Sequence, residues 1–190
     1  MPSVSSKPLQ AYPWYVRLLL RKQRQMFGHI LAPSLLWARS PRVFAAFALL
    51  YGALERRSSP LPPALRSLVM VRVAQIDRCA FCIDINSAIL AKRGVSEEKI
   101  ANVADWRRAN VFTPDERLAL EYAEATTFND VDDDLRGRLK ERWDDDSIVE
   151  LTALIAFQNL SAKFNSALGV PAQGFCRLPA RPMAANSTEP

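Results

Sequence analysis

Histidine occurs once in this chain of 190 residues, at position 29, and cysteine only three times. A tetrahedral zinc site wants four ligands. Beyond one Cys-x-x-Cys pair only Cys176 and His29 remain, both distant and without paired spacing. Three cysteines are also too few for a secreted disulfide scaffold. The six glycines form no phosphate-cradling loop, so no cofactor is expected. There is no alternating strand pattern and no internal repeat. The longest apolar run, Val43 to Leu54, has 12 residues, against the roughly 18–20 that a bilayer requires. The opening MPSVSSKPLQAYPWYVRLLL lacks the charged start and sustained apolar run of a signal peptide. These absences lead us to expect a cytoplasmic protein with no membrane span.

What is present suits one soluble globular domain. Hydrophobic residues make up 49% of the chain, enough to bury a substantial core. The net charge of +5 is unevenly placed: through Pro60 nine Lys/Arg face Glu55 alone, and beyond it sixteen face nineteen acidic residues. A basic amino-terminal arm could touch nucleic acid or a membrane surface. The plainer reading is a solvated face, or one that docks on an acidic patch of a sister subunit, and no nucleic-acid partner is expected.

Helical punctuation runs through the whole chain. Residues 1–12 read as a disordered arm, 13–171 as a single helical domain, and 172–190 as a tail. Trp14 to Phe27 carries apolar and basic residues at helical spacing, with Gly28 and Pro33 as its stop. Ser40-Pro41 is an N-cap with proline at the first helical position. Ala64 to about Gln75 is a further helix. Asp77 is the expected N-cap of the helix that follows, which runs to a Gly94 stop. Ser96 caps another, and Thr113-Pro114-Asp115-Glu116 has the form of a capping box. The acidic run Asp130 to Asp134 precedes a short helix through Trp143. Ser147 to Glu150 reads as a second capping box opening a long apolar helix that Gly169 and Pro171 end. The fold class is all-α, with seven or eight helices.

Chemistry concentrates in Asp77 to Asn86, DRCAFCIDIN. At about 100° per residue Cys79, Cys82 and Asn86 fall within roughly a 60° arc of a helix. Two thiols one turn apart can form a disulfide, hold a metal, or serve as small core residues. In a reducing compartment paired cysteines are more often catalytic or metal-binding than structural.

The run LRSLVMVRVAQIDRCAFCIDINSAILAKRGVSEEKI, residues 65–100, resembles the core of the carboxymuconolactone decarboxylase and alkylhydroperoxidase D (AhpD)-like family. An apolar helix ends in Arg72-Val73-Ala74-Gln75, the Cys-x-x-Cys follows, and Gly94 closes the continuation. Trp106, Phe112-Thr113, Glu116 to Leu120 and Glu124 to Thr126 look like the family's second block. Glu150-Leu151-Thr152, Asn159, Asn165 and Ala167-Leu168-Gly169 are similar to its closing helix. The likeness runs from about residue 40 to 170. It implies an all-helical chain assembling as a symmetric homo-oligomer.

In the family's peroxidases the second cysteine attacks a hydroperoxide and becomes a sulfenic acid. The first then resolves it as a disulfide, and a partner dithiol reduces that. The resemblance therefore casts Cys82 as attacking and Cys79 as resolving thiol. Two positions depart from the pattern. Those peroxidases carry a histidine four residues after the second cysteine, where this chain has Asn86. They carry a glutamate twelve residues before the first, where it has Ser67. Ser and Asn hydrogen-bond but do not act as bases near neutral pH. The leading expectation is thus a thiol peroxidase or disulfide oxidoreductase with a weakened proton relay. Cofactor-free decarboxylation of a lactone acid and a non-catalytic oligomeric scaffold or ligand-binding module are the competing readings.

Overall fold

The computed structural model describes residues 2–176, and among them every regular element is helical. Nine α-helices follow in order: α1 (Trp14–Phe27), α2 (Ala32–Trp37), α3 (Pro41–Leu54), α4 (Pro63–Ile76), α5 (Ala80–Lys92), α6 (Glu97–Ala101), α7 (Pro114–Phe128), α8 (Asp133–Arg142) and α9 (Asp145–Ala167). The count exceeds the expected seven or eight because Pro33, read as a stop, sits in the first turn of α2. There its missing N–H costs nothing.

The helix α4 is the centre. Leu65 to Val71, Val73 and Ala74 are all buried, so the helix has no solvent face, and α5, α7 and α9 pack around it. Leu65, Val69 and Val73 meet Leu151, Leu154 and Ile155 of α9 in the largest cluster of the core. A second cluster gathers Ala74, Cys79, Phe81, Cys82 and Ile85 with Ala162.

Several predicted caps form as read. Thr113 and Glu116 make a reciprocal capping box, and Ser96 accepts from the amide of Lys99. Two expectations are corrected. Asp144, rather than Ser147, caps α9: its carboxylate accepts from the Ser147 amide at 2.8 Å. Asp145 and Asp146 then fall in the first turn, where the helix dipole favours acids. Asp77 ends α4, and Arg78 takes a left-handed φ of 52°, so that the cap of α5 is Cys79. That turn lets the Cys79 amide donate back to the carbonyl of Ala74 at 3.0 Å.

Both chain ends depart from their reading as arm and tail. Tyr12 is buried, its hydroxyl donates to the Leu35 carbonyl at 2.9 Å, and the Ser3 amide donates to the Leu168 carbonyl at 2.9 Å. At the other end the buried carboxylate of Asp84 accepts from the amides of Gln173, Gly174 and Cys176 at 2.8, 2.7 and 2.7 Å. Composition could not foresee this, because the partners lie far away in sequence. The rest of the predicted tail, 177–190, lies outside the described residues.

Candidate active site

The turn that makes Cys79 an N-cap also decides what its sulfur touches. Its Sγ accepts from the Cys82 amide at 3.1 Å, in the place a serine hydroxyl would take at a helix start. One turn on, Cys82 accepts at its own sulfur from the Asn165 side-chain amide of α9 at 3.3 Å. The two cysteines are joined in a disulfide, with Cα atoms 5.2 Å apart. Both sit at a helix N-terminus, whose field favours a thiolate in the reduced state.

The sulfurs do not share an exposed helical edge, as the 60° arc alone would suggest. Cys79 and Cys82 are 1% and 2% exposed. They are inequivalent nonetheless. Cys82 borders a cavity of about 120 Å³, whereas Cys79 is not part of its wall. The cavity face of α5 is Phe81, Cys82, Ile85, Asn86 and Ile89, and α9 contributes the polar groups of Gln158, Ser161 and Asn165. Both sets repeat at three- and four-residue spacing, as one face of a helix must. Trp37, Phe47, Tyr51 and Phe157 supply aromatic walls. Trp37 is clamped between Phe47 and Phe164, with ring centroids 4.6 and 3.6 Å away.

Among the described residues, none that lines this cavity is Asp, Glu, Lys, Arg or His. Asn86 lies in it and donates to Gln158 Oε1 at 3.2 Å. Ser67 does not. It is buried elsewhere on α4, where Arg93 donates to its hydroxyl at 2.6 Å and also pairs with Glu55. His29 is exposed and stacks on Phe175 at 4.9 Å, away from the cavity wall. Asn86 and Ser67, the two positions singled out by the resemblance, are thus separated in space. Tyr51 is the lining group with a strongly shifted titration: burial first, then the nearby Glu55 carboxylate, pushes its hydroxyl up to about 12, against the opposing pull of Arg93 and Arg66. It is a neutral donor at physiological pH.

Residues 41–125 match the model of the carboxymuconolactone decarboxylase family. The uncharacterised protein YnjA of Escherichia coli (strain K12) is 48% identical over 174 residues, 90% of this chain and 96% of YnjA. The chain belongs to the carboxymuconolactone decarboxylase family. A second relative, the uncharacterised YdfG of Bacillus subtilis (strain 168), is 31% identical over 116 residues, 60% of this chain and 79% of YdfG. Among solved structures, the AhpD core of a peroxidase-related protein from Ralstonia eutropha JMP134 superimposes with a TM-score of 0.84. It covers 92% of this chain and 94% of its own, and at 22% identity it speaks to the fold alone. The AhpD-like helical architecture expected from the Cys-x-x-Cys region is therefore the architecture found.

Sequence reasoning missed Trp37, Gln158 and Asn165 as site residues. For the α9 pair a signal was present: Gln158, Ser161 and Asn165 make a polar line at i, i+3 and i+7, one face of a helix. Trp37 gave none, since its neighbours come from distant helices.

Proposed function

We propose that this chain is a thiol-dependent oxidoreductase of the peroxidase type, with Cys82 the attacking and Cys79 the resolving thiol. The observation that carries the reading is the asymmetry of the pair: Cys82 borders the cavity and Cys79 lies behind it, within bonding reach. In the reduced protein the Cys82 thiolate attacks the distal oxygen of a hydroperoxide, breaking the O–O bond. Sulfur is oxidised to the sulfenic acid, and the alkoxide leaves with a proton from water. The Cys79 thiol then displaces hydroxide from that sulfur, forming the disulfide and releasing water. A dithiol partner restores both thiols by exchange.

The absence of a titratable base among the lining residues supports slow turnover, since a positioned base commonly contributes about 10²–10⁴ in rate. The Cys82 proton leaves through water instead. A lactone-acid decarboxylase is less well supported, because an anionic substrate finds no cation in the lining. Apolar side chains left at the surface, Trp14 at 71% and Leu49 at 77% exposure among them, support assembly as a homo-oligomer. A reducing, cytoplasmic setting follows from the need to regenerate the thiols.

The test is a count of free thiols in the reduced protein before and after a hydroperoxide. Two thiols lost together, and the loss abolished in Cys82→Ser, support the cycle. Unchanged thiols after prolonged exposure would refute it.

A further inference from the structure

Around the Cys82 cavity three buried polar atoms have no hydrogen-bond partner among the described residues: Trp37 Nε1, Gln158 Nε2 and Asn165 Oδ1. All three belong to cavity-lining residues. Gln158 and Asn165 are 2% and 1% exposed, so bulk water does not reach them freely. A buried donor left unpaired has given up its hydration for nothing, and such groups in native proteins call for a reason.

Their surroundings hold them in place rather than letting them turn to find partners. Phe47 and Phe164 stack on the two faces of the Trp37 indole and fix its plane. The Asn86 amide donates to Gln158 Oε1, which fixes the Gln158 amide with Oε1 engaged and Nε2 free. At Asn165 the Nδ2 is committed to the Cys82 sulfur, leaving Oδ1 open. The unpartnered buried groups are therefore two donors and one acceptor, in a wall that also carries the hydroxyls of Ser34, Tyr51 and Ser161 and the amides of Gln23 and Asn86 among its aromatic and aliphatic carbon.

We propose that Trp37 and Gln158 form a subsite for a hydrogen-bond acceptor, and that the cavity selects a compact, uncharged organic ligand carrying one carbonyl-type oxygen. Asn86 is the positioning residue of this subsite: where the family's peroxidases hold a proton-transferring histidine, it aims Gln158 instead. The size argument is direct. A dry apolar cavity of about 150 Å³ holds benzene, and this one has about 120 Å³, room for a small ring or a short chain. The charge argument is equally direct. A carboxylate would give up its hydration and gain no cation from the described lining. A hydrocarbon would leave both donors unpaired. The identity of the ligand as a substrate rests on the thiol reading above, whereas the subsite itself does not.

The experiment uses the full chain in its disulfide form, in which no thiol chemistry competes. Cyclohexanone, its isostere methylenecyclohexane and cyclopentanecarboxylate are titrated into nitrogen-15-labelled protein. The Trp37 indole cross-peak is assigned by its loss in Trp37→Phe. Cyclohexanone is expected to move that peak downfield and methylenecyclohexane to leave the N–H unbonded. The near-isosteric Gln158→Met should weaken cyclohexanone about fivefold, the share of one net hydrogen bond, and change methylenecyclohexane less than about twofold. The proposal is overturned if cyclohexanone leaves the indole unmoved, if Gln158→Met weakens both ligands alike, or if the carboxylate binds as well as the ketone. Should Gln158→Met not fold, the wild-type titration alone decides. These results are independent of the thiol count: unchanged thiols with the indole shift intact would retire the peroxidase cycle and leave the subsite standing.

Discussion

The side-chain amide of Asn165 reaches the sulfur of Cys82 across 3.3 Å, tying the closing helix to the cysteine helix at the atom that borders the cavity. A hydrogen bond to a charged acceptor is worth about 1.5–3 kcal/mol. In the reduced protein that energy favours the thiolate over the thiol. Asn165→Leu, which keeps the branching and the number of heavy atoms, is expected to slow alkylation of Cys82 at neutral pH about tenfold or more. Alkylation rates across pH, in wild type and variant, check it. Equal rates would mean that the amide has no hold on the sulfur.

The two departures from the family's peroxidases should respond differently to reversal. Asn86 lies on the cavity face of α5, so Asn86→His puts a base one turn from Cys82. Hydroperoxide turnover is expected to rise about tenfold or more. Ser67 faces Arg93, which also pairs with Glu55. A carboxylate installed by Ser67→Glu is captured by that guanidinium, and turnover should stay within about twofold of wild type. Steady-state rates of the two single variants measured side by side separate the cases.

Away from the cavity, the family's second block is held by Glu124. Arg72 Nε and Trp106 Nε1 donate to one carboxylate oxygen at 2.6 and 2.7 Å, and Arg107 pairs with the other at 2.5 Å. Burial pushes this carboxyl up, but the Trp106 hydrogen bond and the two arginines outweigh it, and it ends below the ordinary glutamate value of 4.5. A depressed carboxyl stabilises the fold above its unfolded value, and that contribution disappears as pH falls through the folded one. Glu124→Gln should therefore cost about 3 kcal/mol at pH 7, and much less well below pH 4.5. Urea midpoints of both proteins at neutral and acid pH give the comparison.

Tyr51 gives the opposite sign. Its hydroxyl, pushed up to about 12 from 10.0 chiefly by burial, favours the neutral form in the folded chain. The stabilisation is complete below pH 10 and is lost as pH rises toward 12. Replacement by phenylalanine removes the ionisable group. The alkaline loss of stability should be shallower in Tyr51→Phe, and one late tyrosinate transition should vanish from the ultraviolet titration.

Much of the fold could be read from the chain because its signals are local. Thr113 with Glu116, and Ser96 with Lys99, are capping contacts made within one turn, so the residue types alone place the helix starts. The same reasoning misplaced the start of α5. An N-cap at Asp77 ignores the left-handed turn at Arg78, which no neighbouring residue type signals. The closeness of the two cysteines was legible from their spacing. The burial of the pair was not, since what covers it comes from α1, α2, α4 and α9.

By itself the sequence determined a helical chain, its family, and two thiols close enough to bond, because i to i+3 geometry and helix caps are set by neighbours in the chain. Only the tertiary structure decided that Cys82 and not Cys79 borders the cavity, that Asn86 aims Gln158, and that Ser67 stands apart beside Arg93. Those are contacts between residues up to 72 positions apart. Packing of whole helices around α4 brings them together, and no local preference encodes which polar groups are left unpaired when that packing closes.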